Sequence, residues 1–244
     1  MKNLIAFLVF GLLSGPMFSL DHNEPPIVSS LRVYAESGLN LRNTPELDSR
    51  IITVVPYGSS VTVVETTPEI EVIEWMSGSW VLVEYEGEQG YLFGGFLSDL
   101  PIPKESFEMS NSDMDLLYPF TNWMDHNYDQ VRTADTLLLD HEEYLTKYYE
   151  RGQWLSQTGH NNKLRVSAEL TDTSLSEAYH LMKSLLKTDA EKITYDNKSI
   201  FIKDKTGKVN KIRVALENPV QLEQMEDGST LIIITTYFQG CDVH

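Results

Sequence analysis

Short runs of alternating apolar and polar residues recur along the first half of the chain, at 31–35, 39–42, 51–55, 60–65, 80–85 and 89–93. Each is rich in Val, Ile, Leu, Thr or Tyr, which suits a half-buried pleated surface. Turn chemistry separates them: Ser37-Gly38, Asn43-Thr44-Pro45, Tyr57-Gly58-Ser59 and Glu86-Gly87. Many short strands with this punctuation predict a small all-β barrel or sandwich over residues 28–100.

A stretch with Pro101 and Pro103, then Ser and Asn up to Asp113, reads as a linker over 101–113. Beyond it the pattern changes. Helices are predicted at about 114–129 and 140–156, the second on the spacing of Leu145, Tyr148, Tyr149 and Leu155. Residues 164–170 alternate as a strand, and Thr171-Asp172-Thr173 is a candidate cap for a helix over 175–187. The remainder predicts strands at 199–204, 208–217, 220–225 and 230–238, joined by hairpin turns at Lys205-Thr206-Gly207 and Glu226-Asp227-Gly228-Ser229. Residues 114–244 are thus expected to form an α+β domain, with helices packed on a four- or five-stranded antiparallel sheet.

The barrel segment carries a resemblance. GLNLRNTPELDSRIITVVPYGSSVTVVE at 38–65, the Trp-led SWVLVEY at 79–85 and GYLFGGFLSDL at 90–100 stand in the order found in bacterial SH3 domains. The likeness covers about 31–100 and implies an SH3-like barrel that holds a peptide, a cell-wall fragment or a protein partner. Asn40 and Arg42, on the face opposite Leu39 and Leu41, read as fold-making residues. Against the family pattern, 66–78 is an insertion, in the region that borders the ligand surface of such barrels. It sets Glu69, Glu71 and Glu74 beside Trp75. With Tyr57, the residues Trp75, Glu71 and Glu74 are the candidate ligand contacts, an aromatic and acidic set that suits a cationic or peptide ligand. The competing reading is a solvated acidic loop with Trp75 packed on the barrel. Trp80 opens an alternating strand and reads as core.

Charge narrows the partners. With 19 Lys plus Arg against 36 Asp plus Glu, the net charge is −17. That excludes nucleic acid as an expected partner and favours a neutral or cationic one. At the N-terminus, Lys2, the uncharged run 4–13 and Ser14-Gly15-Pro16 read as a signal peptide over 1–20. The run is too short to span a bilayer comfortably. An exported protein, periplasmic or secreted, with no membrane insertion after signal removal, is the expectation. The one cysteine, Cys241, cannot form an internal disulfide, and reads as a small apolar side chain at the end of the last strand.

Catalytic chemistry finds no pattern. Only His244 follows Cys241, against the order a papain-like peptidase needs. His141-Glu142-Glu143 lacks the second histidine of a zinc peptidase, and His126, His141, His160 and His180 are scattered. No serine-hydrolase, phosphate-loop or dinucleotide motif occurs. No catalytic residue, metal ligand or cofactor is therefore expected. The leading expectation is a non-catalytic binding or adaptor protein of the cell envelope, with an envelope protein or peptidoglycan peptide as partner. The alternative is a cell-wall-acting hydrolase or accessory factor whose site, built from dispersed groups in the C-terminal domain, no motif announces.

Overall fold

A computed structural model describes residues 29–104, 115–137, 143–160 and 163–237. The expected signal peptide, the linker from 105 on and Cys241 lie outside the described residues.

The first sheet is built from β1 (Ser30–Val33), β2 (Leu39–Arg42), β3 (Ile51–Val55), β4 (Ser60–Thr66), β7 (Trp80–Tyr85), β8 (Glu88–Phe93) and β9 (Leu97–Ser98), in the order β3-β2-β8-β7-β4-β1-β9. It is antiparallel throughout, and its two ends, β3 and β9, do not pair. The ring expected of a barrel is thus not closed. Val33, Leu41, Val55, Val61, Val83 and Leu92 form its buried core. The insertion at 66–78 is no irregular loop: β5 (Glu71–Ile73) and β6 (Met76–Gly78) make a hairpin with Glu74 and Trp75 at its tip. Close approaches require glycine at several positions here. A Cβ on Gly90 would stand 2.8 Å from the Arg42 carbonyl oxygen of β2, and one on Gly78 2.8 Å from the Gly95 nitrogen.

The second sheet has eight antiparallel strands, and the sequence predicted four or five. They are β10 (Gln130–Leu137), β11 (Glu143–Tyr149), β12 (Trp154–His160), β13 (Lys163–Leu170), β14 (Ser199–Lys203), β15 (Val209–Val214), β16 (Val220–Gln224) and β17 (Thr230–Tyr237). Their order is β10-β11-β12-β13-β17-β16-β15-β14. The helix expected over 140–156 is replaced by β11 and β12, with Gly152 at φ 84 between them. The physical reason is a shared period. Positions i and i+4 lie on one face of a helix and also on one face of a strand, so Leu145 and Tyr149 fit both. Tyr148 decides: it pairs across to Trp154, on the face opposite Tyr149.

Three helices occur among the described residues: α1 (Leu117–Asn127), α2 (Leu175–Ser184) and α3 (Asp189–Asn197). Ser174, not Thr171-Asp172-Thr173, caps α2, because Glu177 reaches back to the Ser174 amide and closes a capping box. The unforeseen α3 is capped in the same way by Thr188 and Glu191. All three helices cover one face of the eight-stranded sheet. Phe120, Trp123 and Met124 of α1, Leu181 and Met182 of α2, and Tyr195 of α3 share a core with Val166, Ala168, Ile212, Leu222, Ile232 and Ile234. The N-terminal unit enters the same core through Tyr34 and Leu100, with Tyr57 and Trp75 packed against it.

Candidate ligand cleft at the junction of the two sheets

The junction is ordered by aromatic contacts and one charge network. Trp75 lies 4.7 Å, centroid to centroid, from Phe201 of β14 and 5.0 Å from Tyr179 of α2. Tyr57 meets Tyr34 edge-on at 6.2 Å and shares a side-chain hydrogen bond with Ser184. Glu36, in the turn between β1 and β2, accepts from Lys192 at 2.7 Å and Lys183 at 3.3 Å, and Lys183 also reaches Asp196 at 2.7 Å. Burial alone would push the Lys183 ammonium down, but Asp196 and Glu36 outweigh it and hold its pKa above the ordinary value.

Beside this network a cleft of about 500 Å³ opens between the 35–47 segment and α2. Its apolar wall is Leu39, Leu47, Ile73, Trp80, Phe93 and Phe96. Its polar groups are Glu36, Asn40, Arg42, His180 and Lys183. Trp80 is held in place by donating its indole N–H to Glu71 at 3.1 Å, and Phe93 packs on it at 5.8 Å. Arg42 donates to the Ser49 carbonyl at 2.8 Å, which fixes the loop carrying Leu47. His180 meets Phe96 at a tilt, ring centroids 5.0 Å apart, with its Nε2 3.3 Å from the Met76 sulfur. Burial, reinforced by the nearby Lys183 charge, lowers its pKa from 6.5 to about 4, so the ring is neutral at pH 7. A concave apolar wall with a few converging polar groups is the ordinary form of a small-ligand site.

The four sequence-predicted contacts are dispersed relative to this cleft. Tyr57 and Trp75 face the C-terminal core, so Trp75 is neither a free loop aromatic nor packed only on its own sheet. Glu71 supports Trp80 from the hairpin, and Glu74 is exposed at the hairpin tip with φ 60. Trp80 is core as expected, 2% exposed, yet its ring also borders the cleft. Sequence reasoning missed Asn40, Leu47, Phe93, His180 and Lys183 as a set. The alternation around Asn40 and Arg42 was a signal for the first pair of strands. Nothing in the chain pairs that segment with His180 and Lys183.

No group of three or more His, Cys, Asp or Glu placed to hold a metal ion occurs among the described residues. No helix among them is long and apolar enough to cross a membrane. Compared with known proteins, residues 37–98 match the family model described as bacterial SH3 domain. No curated protein and no solved structure matches the chain. The match takes in the Asn40, Arg42, Trp80, Phe93 and Phe96 side of the cleft. Glu36, His180 and Lys183 lie outside it.

Proposed function

We propose, with the bacterial SH3 domain at 37–98 as premise, that this chain is a non-catalytic binding or adaptor protein of the bacterial cell envelope. Domains of that kind occur mostly in extracellular or wall-associated proteins and hold wall fragments or proteins. The Lys2 and 4–13 pattern supports export, to the periplasm or beyond. The junction cleft is the ligand site in this reading, and its geometry is the observation that carries it. Two cations and one carboxylate line it, and Lys183 is already held by Glu36 and Asp196. A neutral or zwitterionic peptide fits, its small apolar side chains on Trp80 and Phe96 and its amides at Asn40.

The test is a titration of the full chain with a soluble muropeptide, followed by tryptophan fluorescence, for which Trp80 is the reporter. Asn40→Arg fills the cleft from a half-buried position and should weaken binding at least about tenfold, or roughly 1.4 kcal/mol. Unchanged affinity in that variant would remove the cleft from the account. Cell fractionation that leaves the chain in the cytoplasm would remove the envelope.

A further inference from the structure

The eight-stranded sheet has two unlike faces. On one, even-numbered residues of β13, β16 and β17 are buried under the helices and the N-terminal unit. No described element covers the other. Its cross-strand rows follow from the register. One row runs Arg132, Tyr148, Trp154, Glu169, Leu231, Glu223, Lys211 and Ile202 from one edge to the other. Next to it stand Ser156, Ser167, Ile233, Gln221 and Arg213, and beyond them Arg165 opposite Thr235.

The charge on this face opposes that of the molecule. Among the described residues of its strands, Arg132, Lys163, Arg165, Lys211 and Arg213 are set against Glu169 and Glu223, with Asp227 in the β16–β17 turn beside Ser229, in a chain of net charge −17. Most of these groups are engaged within the face. Arg132 lies 4.1 Å above the Tyr148 ring, Lys163 5.9 Å from that of Tyr237, and Lys211 bonds Glu223 at 2.8 Å. Glu169 accepts from the Trp154 indole at 2.7 Å and from Ser229 at 2.9 Å. Arg165 and Arg213 are exposed and have no carboxylate partner among the described residues. They stand three strands and one row apart, roughly 16 Å by ordinary sheet spacings. Between them lie Ile233 and, one row over, Leu231.

We infer that this open face docks an acidic, extended polypeptide segment. Carboxylates four or six residues apart lie on one face of an extended segment and reach Arg165 and Arg213, and an apolar side chain between them on that face covers Ile233. Charge complementarity selects the partner class. A second copy of the chain, packed face to face, sets Arg165 and Arg213 against their own kind. An anionic glycan satisfies the arginines but offers nothing to the Leu231–Ile233 strip.

Fluorescence anisotropy with the full chain tests this, using as probes a labelled random copolymer of Glu and Tyr, poly-L-glutamate and heparin. The copolymer is expected to bind most tightly and to weaken several-fold between about 50 and 200 mM salt. The Arg165→Ser/Arg213→Ser double variant should lose at least tenfold in affinity, with an unchanged melting temperature because both side chains are exposed. Lys198→Ser/Lys205→Ser removes the same charge elsewhere and should stay within twofold of the parent. Equal loss in both double variants would reduce the effect to net charge and overturn the assignment. Heparin binding as tight as the copolymer, with the same arginine dependence, would overturn it in favour of a glycan. A dimer in light scattering that the arginine variant abolishes would overturn it in favour of self-association. The cleft variant Asn40→Arg should leave copolymer binding unchanged, which separates this face from the junction cleft.

Discussion

The N-terminal sheet closes a small aliphatic core from its own strands, with no residue of α1, α2 or α3 in it, whereas the C-terminal sheet cannot complete its core alone. Val33, Leu41, Val55, Val61, Val83 and Leu92 all come from within the first unit. The second buries Phe120, Trp123 and Tyr195 from three helices, and takes Tyr34, Leu100, Tyr57 and Trp75 from its neighbour. Dependence therefore runs mainly one way. The hairpin inserted into the first sheet is the element that extends across, and Trp75 at its tip is the largest side chain it delivers.

Breaking that asymmetry should have the largest effect. Trp75→Ala removes a ring held between Tyr179 and Phe201. It should cost about 3 kcal/mol, the low end for such a truncation because the site is only partly buried. Urea unfolding measures it. A loss below about 1 kcal/mol would mean that the two sheets stand independently.

Acid sharpens the comparison at one residue. His180 titrates at about 4 in the folded protein against 6.5 unfolded, chiefly through burial. The unfolded chain takes up the proton first. Stability present above about pH 6.5 is thus lost as pH falls towards 4, by about 3 kcal/mol. Glu177, whose pKa burial raises, works in the opposite sense. The informative quantity is therefore the difference between parent and His180→Asn in urea midpoint at pH 7 and 4.5. Parallel shifts in the two proteins would dismiss His180 as the source.

The smallest effect belongs to the charge network. Lys192 is partly exposed, and Lys192→Met should cost at most about 0.5 kcal/mol, less at high salt. A loss above about 1.5 kcal/mol would show that Glu36 needs both lysines to hold the junction.

The same asymmetry governs what could be read in the chain. In the first unit, glycine and proline turns cut the strands to their true lengths, and β2, β3 and β7 fall where alternation puts them. In the second, Leu145 and Tyr149 satisfy helix and strand periods alike, and only cross-strand pairing separates the two. The helix α3 buries Tyr195 alone, so periodicity could not reveal it. The Thr188–Glu191 capping box was its local signal. Trp80, Asn40 and Arg42 were legible as strand residues, but the cleft was not. It needs Glu36 and Lys183, far apart in the chain, brought to 3.3 Å by the docking of the two units. Of the candidate contacts, Tyr57 and Trp75 carried the right chemistry for recognition, and the structure turns them towards the chain's own second sheet.

Amide hydrogen exchange on the full chain, with and without a saturating soluble muropeptide, tests the junction cleft most directly. The account predicts protection gained together at residues 35–47 and at 175–184, the two walls of the cleft, with β10–β12 unchanged. Protection confined to the first sheet, or appearing only on strands remote from the junction, would contradict it.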